Sequence, residues 1–198
     1  MARLKKTNGQ TLFALASTAA SSVSLGTAVD VSTALGGLVY VRFGRRSATA
    51  AGAGVNIRLE ASHSASADNS WFPFATFTTA FAACEAEAVT GTVAAGATTI
   101  TCASTTNLAA GDVIFIDNGT IGNSEWARIK SIVAATSVTV EDALVNAATS
   151  CTMYDSAEIY APVAIPEGAM RIRCVVDGSL FTQAFAVQAL YSTIDYIL

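Results

Sequence analysis

The sequence predicts an all-β protein, a β-sandwich interrupted by an inserted small β-barrel-like unit and preceded by an extended N-terminal arm. Three observations carry this. Apolar and polar residues alternate, or β-branched residues cluster, in short runs cut by Gly, Asn, Asp and Ser. No long helical period occurs. The chain after residue 156 holds only about three strand-like runs, too few to close a core alone.

Residues 1–21 open with Arg3, Lys5 and Lys6, which imitate the charged end of a secretory signal. Residues 7–11 then separate these charges from an apolar stretch at 12–16 that is too short for such a signal. The segment is read as an arm, and because chain ends order only when tied down, residues 1–10 are expected to lie across a neighbouring subunit. A helix over 11–21 is the alternative for its second half.

Strands follow at 22–25, where Val23 and Leu25 alternate with serines, and at 38–43, where Val39, Tyr40, Val41 and Phe43 favour a pleated surface. At 55–61, Val55, Ile57, Leu59 and Ala61 alternate with Asn56, Arg58 and Glu60. A strand at 74–79 carries Phe74 and Phe77, and residues 79–88 have enough alanine and glutamate for a helix. Residues 89–156 then behave as one unit. Its strands are 98–103, 113–117, 125–133 and 137–140, with Leu144 as a further core residue. Asn118 and Gly119 supply hairpin turn chemistry after the apolar run at 113–117. Alternation at 125–133 places Trp126 on one side with Arg128 and Lys130.

The last strands are 158–160, 170–176 and 184–191. They need partners, and those at 38–43 and 55–61 are the obvious ones. The expected organisation is therefore an arm at 1–21, a discontinuous sandwich from 22–88 and 157–198, and an inserted unit at 89–156. Two consecutive domains split near residue 89 are the alternative.

Hydrophobic residues make up 52% of the 198-residue chain and charged residues 13%, about half the charge of an ordinary soluble domain. No apolar run approaches the roughly 18 residues of a membrane helix, so no membrane partner is expected. The surplus apolar surface points instead to subunit interfaces and a homo-oligomer. The net charge of −4 is unevenly placed. Arg3, Lys5, Lys6, Arg42, Arg45, Arg46 and Arg58 face only Asp30 and Glu60 in the first 60 residues, and carboxylates dominate afterwards. This suggests charge complementarity between neighbouring subunits. Direct nucleic-acid binding is not expected of an acidic chain.

Little in the sequence carries chemistry. The single histidine, His63, sits in a polar loop with Ser62, Ser64 and Asp68, without the context of a catalytic triad. Asp112, Asp117, Asn118 and Asn123 lack the spacing of a calcium loop and read as turn formers. The acid pairs Glu85 with Glu87 and Glu141 with Asp142 do not make a glycosidase site by proximity in sequence. Cys84, Cys102, Cys151 and Cys174 have no metal-ligand spacing and read as small buried hydrophobes, a Cys102–Cys151 bridge being the alternative. No catalytic residue, cofactor or metal is expected. The densest aromatic group, Trp71, Phe72, Phe74, Phe77 and Phe81, suits a core strand or a subunit anchor. The candidate interaction residues are Arg3, Lys5, Lys6, Arg45, Arg46, Trp71 and Phe72.

The runs at 95–101, 108–116, 124–132 and 137–141, with the Gly111-Asp112 turn between alternating strands, resemble small β modules recurring in bacteriophage virion proteins. The flanking sandwich resembles, more weakly, phage head decoration proteins. Cys102 and Cys151 depart from that pattern. The resemblance implies a non-enzymatic virion subunit assembled in the host cytoplasm, with the major capsid protein or other virion proteins as partners. A capsid decoration (cement) subunit leads. A neck or tail component, or a receptor- or glycan-binding module of the particle, is the competitor.

Overall fold

In the computed structural model, which describes residues 3–18, 21–66 and 70–197, the period-2 pattern is realised as an all-β protein. The first stretch holds β1 (Arg3–Thr18), β2 (Val23–Leu25), β3 (Val29–Asp30), β4 (Ala34–Arg45), β5 (Asn56–Ser62) and β6 (Trp71–Thr78). The middle stretch holds β7 (Ala86–Ala88), β8 (Thr92–Val93), β9 (Thr99–Thr101), β10 (Val113–Asp117), β11 (Glu125–Val133), β12 (Ser137–Val140), β13 (Ala148–Thr149) and β14 (Thr152–Tyr154). A 3-10 turn, Ile121–Asn123, lies between β10 and β11. The chain returns as β15 (Glu158–Ile159), β16 (Val163–Ala164), β17 (Arg171–Asp177) and β18 (Phe185–Ile197).

Two antiparallel sheets use the first and last stretches together. One runs β1-β18-β4, with β15 and β16 on the far side of β4. The other runs β2-β17-β5-β6, with β3 also pairing β17. Alternation decides which side chains meet between them. Val39, Val41 and Phe43 of β4 and Ile57, Leu59 and Ala61 of β5 are buried, together with Ile172, Cys174, Phe185 and Val187 from the return. The middle stretch forms its own curled sheet, β7-β14-β10-β11-β12-β9, and the pair β8-β13. Its core takes every residue from within 89–153, with Ile100, Ile114, Ile129, Val138 and Met153 at most 1% exposed.

The two cores meet through a small contact. Phe115 is fully buried against Ala157 and Ala186, its ring 4.8 Å from that of Trp126. Gly44 makes room for it, since a Cβ at that position would lie 2.5 Å from Phe115 Cγ. Trp126 Nε1 donates to the Phe43 carbonyl at 2.8 Å, and Arg46 grips Asp117 through Nε at 2.7 Å and Nη2 at 3.0 Å.

Three expectations are corrected. The arm does not leave its own domain, because from Arg3 opposite Ile197 to Thr18 opposite Phe185 it is the edge strand β1 on β18. Residues 1–2 and 19–20 lie outside the described residues. The helix considered at 11–21 is strand through Thr18, because Leu12 and Phe13 bury their side chains in the sandwich and cross-strand packing outweighs propensity. The helix considered at 79–88 is irregular chain ending in β7.

Gly44→Ala should lower stability by about 1–3 kcal/mol, the usual cost of overpacking, and Phe115→Leu should relieve part of that cost in the double variant. Paired thermal melts measure the coupling. Replacing residues 89–156 by a short Gly-Ser linker should leave a folded sandwich with a lower melting temperature, because Gly44 and Ala186 lose the cover of Phe115 and the Phe43 carbonyl loses its Trp126 donor. Removing 157–198 should abolish folding, because β17 and β18 are interior strands whose loss opens both sheets. Circular dichroism of the two deletions distinguishes these outcomes.

Candidate interaction surface

On β5 the residues that alternate with the buried Ile57, Leu59 and Ala61 are Arg58, Glu60 and Ser62, so they share the outer face of the second sheet. Register brings distant segments to them. Glu60 lies between Arg173 of β17 and Pro73 of β6, and Ser62 between Arg171 and Trp71. The Glu60 carboxylate, 8% exposed, accepts from Arg173 Nε at 2.8 Å and lies 2.7 Å from Nη2. Arg58 Nε is 3.5 Å from the other oxygen. A buried carboxylate is tolerable only with such partners, and the forked geometry of Arg173 supplies two directed contacts.

Above this ion cluster the guanidinium carbons of Arg173 and Arg171 lie 4.2 and 4.9 Å from the Trp71 ring centroid. Arg171 Nε also donates to the Ser64 carbonyl at 2.8 Å. Each cation–π contact contributes roughly 0.5–2 kcal/mol depending on exposure. Trp71 Nε1 is buried and has no hydrogen-bond acceptor among the described residues. Trp and Arg are the residue types that dominate interface energetics. Val23 and Leu25 flank this face on β2, at 56% and 65% exposure.

The candidate residues separate. Trp71 belongs to this outer face, whereas Phe72 points inward, packs against the sandwich core and stacks on His63 with centroids 5.0 Å apart. Neighbouring strand residues face opposite ways, so the aromatic run is not one platform. Arg45 is corrected as an interaction residue. It is fully buried, donates to the Ala82 and Thr49 carbonyls at 2.8 and 2.6 Å, and lies over Phe181 at 5.3 Å. Arg46 is partly exposed and is held by Asp117 within the molecule. Lys6 is exposed on β1. Arg3 and Lys5 stand opposite Ile197 and Asp195 in register, and their side chains lie outside the described residues. Asp68 lies outside them too.

Arg58, Glu60, Arg171 and Arg173 were not singled out from sequence. Their signal was present as charged residues at period 2 in two otherwise apolar strands, but the pairing of β17 with β5 across more than half the chain was not readable there.

A second surface is the groove of about 310 Å³ between sandwich and middle stretch. Its walls include Arg42, Trp126, Arg128, Glu141, Asp142 and Ile159. Trp126 shares its side of β11 with Arg128 and Lys130, and both of those are exposed. Glu125 is committed to the backbone N–H groups of Val145 and Asn146, both at 2.9 Å.

All four cysteines are free, so the alternative Cys102–Cys151 bridge is not formed. Cys102, Cys151 and Cys174 are buried, and burial pushes each thiol above its ordinary range, Cys174 to about 12. Such thiols stay protonated at neutral pH and are poor nucleophiles. Among the described residues no three His, Cys, Asp or Glu side chains cluster as a metal site. Asp112 and Asp117 instead serve turns, accepting from Ala109 N at 2.7 Å and Gly119 N at 3.1 Å. No family model matches the chain, and no curated protein matches it.

The raised Cys174 pKa has a definite sign. The unfolded thiol ionises from about pH 8.5 upward while the folded one stays protonated, so stability is intact below that value and declines toward about pH 12. Denaturant unfolding at a series of alkaline pH values should show a shallower decline for Cys174→Ala than for the wild-type chain.

Proposed function

We propose that the chain is a non-enzymatic structural subunit of a bacteriophage particle. In the leading form it is a capsid decoration (cement) subunit that stabilises the shell through contacts with the major capsid protein and with its own copies. The observation that carries this reading is the apolar surface left over after two cores have formed. Leu25, Leu180 and Val145 are 65%, 70% and 78% exposed in a chain with only 13% charged residues. Val23 and Leu25, exposed beside the cluster of Arg171, Arg173 and Trp71, have with it the composition of an interface core with a polar rim. The alternating modules of the middle stretch add the resemblance to virion proteins, which by itself speaks to fold rather than to role.

The receptor- or glycan-binding reading needs an aromatic face open to a sugar. Trp71 has Arg171 and Arg173 over its ring, and Trp126 has Phe115 and Arg42 against its own. That favours the packing subunit over the sugar reader.

Sedimentation velocity across low to high micromolar concentrations tests the proposal. Concentration-dependent oligomers are expected. A chain that remains a soluble monomer throughout would count decisively against a subunit that works by packing.

A further inference from the structure

The formal charge of −4 resides wholly in the middle stretch, where Arg128 and Lys130 are set against six carboxylates, while the remainder of the chain balances. Part of that excess gathers at one place. The backbone N–H of Ile129 donates to the Asp112 carbonyl and that of Glu141 to the Arg128 carbonyl, so Asp112 and Glu141 lie on the strands and turns next to Arg128, and Glu141 and Asp142 line one groove with it. Arg128 reaches Glu141 only at 3.9 Å and gives its Nη1 to the Gly111 carbonyl at 2.7 Å. Glu141 and Asp142 are exposed on the rim of the groove, beside Val145 at 78% and Ile159 at 43% exposure. Arg42 lies deeper, against Trp126.

The opposite charge sits at the other end of the molecule. Phe115 marks the acidic end by packing on Gly44, and β4 runs away from it to Gly36, about 26 Å at the usual strand rise. Gly36 pairs Ile194, which pairs Lys6 on the other side. Beyond Ala34 opposite Asp195 no third strand continues among the described residues, and β1 and β18 run on as a two-stranded ribbon to Arg3 opposite Ile197. Arg3, Lys5 and Lys6 therefore occupy the far end. Leu35 and Ile194 beside them are 48% and 43% exposed. The carboxylates there are Glu167 and Asp195, and Asp195 accepts from Thr7 and Thr193 at 3.2 and 3.0 Å.

We infer that copies of this chain join head to tail, the basic β1–β18 ribbon of one copy seating on the Glu141–Asp142 rim of the next. This rests on the packing-subunit reading and names its partner, a second copy. Each end carries an excess of one sign, Arg3, Lys5 and Lys6 against Glu167 and Asp195 at the ribbon and Glu125, Glu141 and Asp142 against Arg42 and Arg128 at the rim, with apolar residues at its side, so the net charges of the two ends complement each other. Such a contact is heterologous and leaves a free ribbon and a free rim at every step, so it builds chains or rings rather than closed pairs.

Sedimentation velocity of the full chain and two neutralised variants tests it. One variant is Lys5→Gln with Lys6→Gln, the other Glu141→Gln with Asp142→Asn. The wild-type chain should grow past dimers at low salt and fall back at 1 M salt, where charges are screened beyond about 3 Å. Each variant should associate roughly tenfold or more weakly by itself. Their equimolar mixture should stop at heterodimers, because only one ribbon and one rim remain. Combining Lys5→Glu, Lys6→Glu, Glu141→Lys and Asp142→Lys in one chain should restore growth, which separates lost complementarity from lost folding. Wild-type assembly that both neutral variants share, or a mixture growing past dimers, overturns the inference and leaves the packing-subunit reading standing. A wild-type chain that is monomeric at every salt overturns both.

Discussion

The sandwich depends on where β18 lies. This last strand sits between β1 and β4, pairing Phe185 with Thr18 on one side and with Arg45 on the other. The first sheet therefore has no interior until the end of the chain arrives. Arg3 and Ile197 meet across nearly the whole sequence, and β17 depends on a similarly late pairing with β5. Closing such loops costs entropy before any contact rewards it, which places the fold among those that form slowly. The middle stretch is different, since its core is drawn from 89–153 alone. It can mature while the sandwich still waits for its last strands.

That arrangement explains why two adjacent arginines do such different work. Arg45 and Arg46 follow one another on and after β4, so they leave the strand in opposite directions. Arg45 turns into the sandwich and ties down the loops at Thr49 and Ala82 through their carbonyls. Arg46 turns toward the middle stretch and takes Asp117 in a two-point grip. A cation without a carboxylate is costly to bury, and Arg45 offsets this with two directed carbonyl contacts and the face of Phe181. One strand end thus organises its own loops and the neighbouring core together.

Much of the fold was legible because strand alternation is a local signal. The strands at 113–117, 125–133 and 137–140 have the limits expected of them, since Asn118, Gly119 and the polar residues around Ala135 punctuate them sharply. The short strands β3, β8, β13 and β16 were not legible, because two residues cannot show a period. The arm misled for another reason. Its charge and turn-like residues at 7–10 resemble an unpaired end, and only the pairing with β18 makes it a strand. The candidate surface was half visible. Trp71 stood out by type, but Arg171, Arg173 and Glu60 acquire their meaning from register between strands far apart in sequence.

The outer face of the second sheet shows how far assembly and stability are separable here. Glu60, Ser62 and Val175 are buried on this outer face, where Arg58 and Arg173 reach the Glu60 carboxylate and Arg171 and Arg173 lie against the Trp71 ring. The arginines therefore act as a lid for their own sheet before they meet any partner. A partner that docked there would displace or cover groups already paired, and would gain only the difference. The ribbon and the rim differ in this respect. Lys6, Glu141 and Asp142 are exposed, and the sandwich and the middle core close without them. Exposed charges, Glu141 with its long 3.9 Å contact to Arg128 included, can be matched across an interface at small desolvation cost, and such charges steer association more than they add affinity.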